Sequence, residues 1–190
     1  MPTPRSLLER YVQAKDSVQP ELMREIYAPD AELTYSIATD SISFPAKTVG
    51  LDAITRTLVV DFATRFAQCK TYYVCDAPPA DDSAFVRVPW LVVMREPAAG
   101  SLRIGKGYYE WSFARTASAD LQVTTMRIHI ERMDAIADAG VTLLTAAQAE
   151  LPYPWLAPAR LRAAYRQRAA AQRTLAFLHD FEVPLVLPPL

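Results

Sequence analysis

Residues 123–134, VTTMRIHIERMD, set an arginine, a histidine and a glutamate at alternate positions of one short run. Read as an extended strand with a side-chain period of two, Thr125, Arg127, His129 and Glu131 share one face, and Met126, Ile128 and Ile130 the other. Neighbours on such a face stand about 7 Å apart. Imidazole is the side chain whose unperturbed titration falls near neutrality. His129 is therefore a candidate proton carrier, Glu131 a candidate orienter of its ring, and Arg127 a candidate holder of an oxyanion or enolate. The same alternation also describes the wet outer face of a one-sided sheet, with the apolar residues packed inward. Asp30, in YAPDAEL, is a second candidate base. It would need burial to titrate high enough for that work, and an Asp directly after a proline is also ordinary turn chemistry.

A second set is aromatic: Tyr11, Tyr35, Trp90, Tyr109, Trp111 and Phe113. Tyr109, Trp111 and Phe113 share one strand face, and Val86, Val88, Trp90, Val92 and Met94 share one face of the strand before it. Two adjoining faces this bulky would line an interior, mostly as core, with one or two rings left facing a cavity. Tyrosine hydroxyls there would be available to a carbonyl. Cys69 and Cys75 fall on one strand face about 20 Å apart, too far for a mutual disulfide, and read as core. With two scattered histidines they make no metal site, so no metal or cofactor is expected.

These residues need elements to hold them. Ser6 reads as the cap of a helix carrying Leu7, Leu8, Tyr11 and Val12, and Pro20 as the start of another that Pro29 stops. ELTYSI reads as a short strand and SISFPAKTVG as a loop, followed by an amphipathic helix bearing Ile54, Leu58, Phe62 and Phe66. From Cys69 the period becomes two through four strands, separated by PPADDS, PAAG and ASAD. Pro89 predicts a bulge or an edge, and Gly105 and Gly107 predict a bend. Past Asp134 come a short helix, a stop at LPYPWLAP and a long helix from Pro158 to about Asp180. Its Arg160, Arg162, Arg166 and Arg173 read as a solvated face, while Arg168, within the apolar stripe, calls for an acidic partner or a route to water.

The bulk numbers set bounds. A chain of 190 residues, 51% hydrophobic and 22% charged, is one domain, or one domain with an appendage. Its formal net charge of −1 gives no pull towards nucleic acid or acidic membranes. No apolar run approaches the roughly 18–20 residues of a membrane span, and the N-terminus has no signal-peptide core, so a cytoplasmic location is expected.

Helices followed by a long meander form an α+β pattern. In LLERYVQAKDSVQPELMREIYAPDAELTYS, VGLDAITRTL and MRIHIERMD, taken in that order, the chain resembles the nuclear transport factor 2-like superfamily, particularly its SnoaL-like polyketide-cyclase and steroid-isomerase-like branch. The resemblance covers residues 5–135. It implies a cone: a strongly bent antiparallel sheet wrapped around N-terminal helices, with a pocket in the open end and often a homodimer built through the sheet. Residues 1–135 would form the cone domain and residues 136–190 a C-terminal helical extension with an apolar tail. Convex apolar groups with no helix over them would need a second subunit.

Two functions stay open. One is a cofactor-independent isomerase, dehydratase or cyclase working by proton transfer on a small apolar ring compound. His129 or Asp30 would move the proton, and Arg127 or a tyrosine would hold the developing charge. The other is a non-catalytic module that binds a small ligand or supports dimeric assembly, with Tyr11, Tyr35, Trp90, Tyr109 and Trp111 around the ligand. A buried acid–base pair favours the first, and a wholly apolar cavity the second. The tail VPLVLPPL is expected to dock, either on the mouth of its own cone as a lid or on a partner subunit.

Overall fold

Thr3, one turn ahead of the Ser6 read as the cap, starts the first helix. Its side chain accepts from the Ser6 N–H (3.3 Å), and Ser6 Oγ accepts from the Thr3 N–H (2.8 Å), so each satisfies the other's end group. The computed structural model describes residues 1–116 and 120–187. Most of the ASAD turn and the last three residues of the tail, Pro188, Pro189 and Leu190, lie outside the described residues. Helix α1 (Pro4–Asp16) buries Leu7, Leu8, Tyr11, Val12 and Lys15. The second helix is only a 3₁₀ turn, Pro20–Glu25, because β1 (Tyr27–Ile37) begins before Pro29 can act as its stop. Pro29 and Asp30 instead occupy the irregular start of β1, where its register slips between Tyr27 and Glu32.

Residues read as loop contain β2 (Lys47–Val49), paired with β1, and α2 (Leu51–Thr55) continues through a π turn (Arg56–Val60) into α3 (Asp61–Arg65). Then come β3 (Ala67–Val74), β4 (Phe85–Glu96), β5 (Ser101–Arg115) and β6 (Leu121–Ala137) as an antiparallel meander. The full order, β2-β1-β6-β5-β4-β3-β7, is mixed rather than purely antiparallel. β1 meets β6 in parallel, and β7 (Trp155–Leu156) meets β3 in parallel, because each end of the meander is extended by a strand from a distant part of the chain.

The bend has a local cause. The β5–β6 register slips between Lys106 and Gly107. A Cβ on Gly107 would overlap the His129 carbonyl oxygen and lie 2.7 Å from the Trp90 ring, so only glycine lets the strands come this close. Pro89 sits just past Trp90, the last β4 residue paired with β3, where β4 is bonded on one side only.

α1 and the helical run 51–65 pack on the concave face against Trp90, Trp111, Met126 and Ile128. The convex face is not bare. Tyr72, Val74, Leu91, Val93, Leu102 and Ile104 are covered by α4 (Thr142–Gln148), α5 (Pro158–Ala171) and a 3₁₀ helix (Arg173–Phe181). The apolar area that the sequence argument gave to a second subunit is thus filled by the chain's own extension. The long final helix breaks at Gln172, whose backbone is extended, so Arg173 leaves the line of Arg162 and Arg166. Arg168 donates to the Ala147 carbonyl, which also accepts from the Tyr165 hydroxyl, and to the Ala149 carbonyl at the end of α4, in place of an acidic partner.

The tail also departs from expectation. Lys106, on the convex side, donates to the Asp180 (2.7 Å) and Val183 (3.4 Å) carbonyls, and Val186 is 83% exposed. Pro184, Leu185 and Leu187 are half-buried, and none of residues 182–187 lines the cavity inside the cone. Among the described residues no helix is long and apolar enough to cross a membrane.

Candidate ligand-binding site

The open end of the cone holds a cavity of about 50 Å³. Alternation along the strands builds its wall: Trp90, Val92 and Met94 from β4, Tyr109 from β5, and Ile128 and Ile130 from β6 all point inward. Trp90 and Tyr109 stack at 5.6 Å, and Tyr11 meets Tyr109 edge-on at 6.0 Å. Residues 38–46 cross the mouth. Their Ile42 and Phe44 plug it, with Phe44 stacked flat on Tyr35 at 4.6 Å. This loop is held by Ser41, whose hydroxyl donates to the Met133 carbonyl (2.5 Å) and whose own carbonyl accepts from Arg103 (3.1 Å).

The polar groups are few and mostly unused. Tyr11 Oη, Tyr35 Oη and Trp90 Nε1 are buried with no hydrogen-bond partner. The Tyr109 hydroxyl is close enough to Tyr11 to influence it electrostatically, but not in hydrogen-bond geometry. Burial pushes the Tyr11, Tyr35 and Tyr109 phenols up, so all three remain neutral donors. Buried groups of this kind are normally paired, and an unpaired set around one cavity marks a place for an acceptor.

Lys15 supplies the charge. Its Nζ donates to Asp16 Oδ1 (2.6 Å) and Cys69 Sγ (3.2 Å), and stands 4.7 Å from the centre of the Phe62 ring. Burial alone would lower its pKa, but the Asp16 carboxylate beside it, by its charge and its hydrogen bond, outweighs that and raises it, so it stays an ammonium. Asp16 is itself fully engaged. Besides Lys15 it accepts from the Thr71 backbone N–H (2.6 Å), the Thr71 hydroxyl (3.0 Å) and the Tyr153 hydroxyl (3.1 Å). Burial pushes the Cys69 thiol up to about 12, which leaves it neutral and a poor nucleophile.

The residues singled out from sequence divide cleanly. Tyr11, Tyr35, Trp90 and Tyr109 come together around the cavity, and Trp111 packs behind Tyr11 at 4.9 Å. His129, Arg127 and Asp30 do not join them. His129 is on the convex face, between Ser36 Oγ (3.2 Å) and Glu131 (3.0 Å), stacked on Tyr108 at 4.7 Å. Arg127 is half-exposed near Glu110, which also pairs with Arg87, and Asp30 is exposed. Ile128 and Ile130 take the inward positions of β6, so the polar residues between them must face out. Among the described residues no carboxylate or imidazole lines the cavity. Lys15 was not singled out, although it stands one turn after Tyr11 on the apolar stripe of α1, where a charge is out of place.

No protein-family model matches the chain, and no curated protein matches it in sequence. Solved structures do match in shape. A nuclear transport factor 2-like superfamily protein from Salmonella enterica is 15% identical with a TM-score of 0.54, covering 73% of this chain and 92% of that one. A hexachlorocyclohexane dehydrochlorinase from Novosphingobium barchaimii is 13% identical (TM-score 0.53; 69% and 86%). A protein described as a putative scytalone dehydratase, from Novosphingobium aromaticivorans, is 18% identical (TM-score 0.51; 70% and 89%). The chain has the nuclear transport factor 2-like fold. Identities this low carry the fold alone.

Proposed function

We propose that the protein binds a small, mainly apolar molecule bearing a carbonyl or similar acceptor oxygen in the open end of its cone. One observation carries this: a lasting ammonium and three unpartnered ring donors surround a cavity that is otherwise aliphatic and aromatic. An acceptor oxygen placed among Lys15, Tyr11 and Tyr35 satisfies groups whose burial is otherwise uncompensated. Size sets how the ligand enters. The cavity of about 50 Å³ is well below the roughly 150 Å³ that houses a benzene ring. A ring therefore binds only when Ile42 and Phe44 swing out with the 38–46 loop.

Similarly folded proteins are described as a dehydrochlorinase and a putative dehydratase, which keeps an isomerase-, dehydratase- or cyclase-type reaction in view. Lys15 is suited to steady a developing enolate oxygen. Proton abstraction also needs a base, however, and Asp16 is saturated while the lining tyrosines stay protonated. Binding is the reading the site supports best.

The test is calorimetric titration with cyclohexanone and with cyclohexane. The ketone should bind more tightly, and Tyr35→Phe should lose about tenfold in ketone affinity while binding the hydrocarbon as before. Equal affinities for the two rings in the wild type would end this reading.

A further inference from the structure

We infer that the C-terminal extension is part of the ligand site, acting through Tyr153 and Asp16 on Lys15. The inference rests on the ligand-binding reading for its consequence, but not for its physical link.

The link is continuous in hydrogen bonds. Tyr153 lies in the connection after α4, within the extension that covers the convex face. Its ring leans edge-on against Tyr72 at 5.8 Å, and its hydroxyl reaches past the sheet edge to Asp16 Oδ2. Burial raises the Tyr153 pKa, and the neighbouring Asp16 carboxylate raises it further, so this hydroxyl remains a donor throughout the ordinary pH range. Asp16 and Lys15 are both nearly buried, with side chains 4% and 5% exposed. The extension is anchored beside them twice more: β7 pairs with β3 at Tyr73 and Val74, and Trp155 Nε1 donates to Glu9 Oε1 (2.7 Å) on α1. The extension thus grips both the helix that carries Lys15 and the strand that carries Thr71.

Charge balance gives the link its effect. A buried carboxylate shares its negative charge among the donors it accepts from. Thr71 contributes two of these, Lys15 one and Tyr153 one. Removing the Tyr153 hydroxyl leaves more of that charge for Lys15 to neutralise. The ammonium is then drawn towards Asp16 and away from the cavity, and a ligand oxygen meets a weaker donor. Asp16 and Tyr153 are positioning residues, while Lys15 makes the contact. A cone ending at residue 137 would keep its aromatic wall but lose this control over Lys15, the one cation that lines the cavity among the described residues.

Tyr153→Phe is the informative change because it keeps the ring on Tyr72 and deletes only the hydroxyl. The direct readout needs no ligand: the side-chain ¹⁵N resonance of Lys15, observable because its ammonium protons are buried and hydrogen-bonded. In Tyr153→Phe this resonance should move, while the backbone amide signals of exposed Lys47 and Lys70 stay in place. Cyclohexanone affinity should fall about threefold to tenfold with cyclohexane affinity unchanged, a split that a general loss of packing would not give. An unmoved Lys15 resonance in Tyr153→Phe overturns the inference even if ketone binding stands. If the wild type does not distinguish the two rings, the ligand reading fails and the resonance alone decides whether the link exists.

Discussion

Asp16→Asn removes the counter-charge of a nearly buried lysine and leaves its cation in an aromatic cavity. Breaking one side of a buried pair costs about 3–5 kcal/mol, more than the pair itself contributes, because the remaining charge is stranded. For a chain of this length that corresponds to a fall of roughly 6–20 °C in Tm. The pH dependence separates this mechanism from simple loss of packing. In the wild type the Lys15 pKa is raised by folding. Its contribution is therefore complete below the unfolded value of about 10.4 and is lost only above it. In Asp16→Asn, desolvation is unopposed and depresses Lys15. The unfolded chain then holds a proton that the folded one sheds, and stability rises with pH by up to about 2 kcal/mol between pH 7 and 8.5. Lys15→Met combined with Asp16→Asn removes both charges and should recover most of the loss. Urea unfolding of the three proteins at both pH values is the assay. A loss under 1 kcal/mol, or no recovery at higher pH, would show that Lys15 is not desolvated as described.

Four further outcomes follow. Burial pushes Cys69 up to about 12 and Cys75 up to about 11, so above about pH 8.5 the unfolded thiols ionise first and stability falls; Cys69→Ala should flatten that slope in urea titrations. Gly107→Ala should cost more than 3 kcal/mol because backbone must shift, whereas Gly105→Ala meets chiefly the flexible end of Met133 and should cost about half as much, as compared by thermal melts. His129→Ala should change ligand affinity less than twofold by calorimetry, since the ring lies on the opposite face from the cavity. The full chain should sediment as a 21.2 kDa monomer at micromolar concentration, and a chain cut after residue 137 should associate and bind apolar dye through exposed Tyr72, Leu91, Val93 and Ile104.

The strands and their two faces were legible because a period of two is a strong signal, and Trp90 and Tyr109, which it placed on adjoining faces, both line the cavity. Which face turns inward was harder to read. Arg127, His129 and Glu131 look like chemistry, but on β6 the inward positions fall to Met126, Ile128 and Ile130, as one-sided burial dictates. Lys15 escaped notice because a lysine in the last turn of a helix ordinarily complements the helix dipole. Only its place on the stripe of Leu7, Leu8 and Tyr11 sets it apart. The covered convex face had a signal as well. Trp90, Leu91, Val92, Val93 and Met94 are apolar without interruption, the pattern of a strand buried on both sides, and the alanine-rich extension was the element available to cover it. The break at Gln172 and the reach of Tyr153 to Asp16 depend on tertiary packing and leave no local pattern.

The central claim is that a ligand oxygen enters the cone and meets the donors around Lys15. The three tryptophans give three indole N–H signals, and their settings differ. Trp90 Nε1 lines the cavity without a partner, Trp111 Nε1 is buried behind Tyr11, and Trp155 Nε1 is already bonded to Glu9. Titration with cyclohexanone, followed by ¹H–¹⁵N correlation spectra, should move the Trp90 indole most and the Lys15 ammonium with it. Trp155 and the backbone signals of Arg127 and His129 should hold still. Saturable shifts on the convex face around His129, with Trp90 and Lys15 unmoved, would place the site on the wrong side of the sheet and contradict the account.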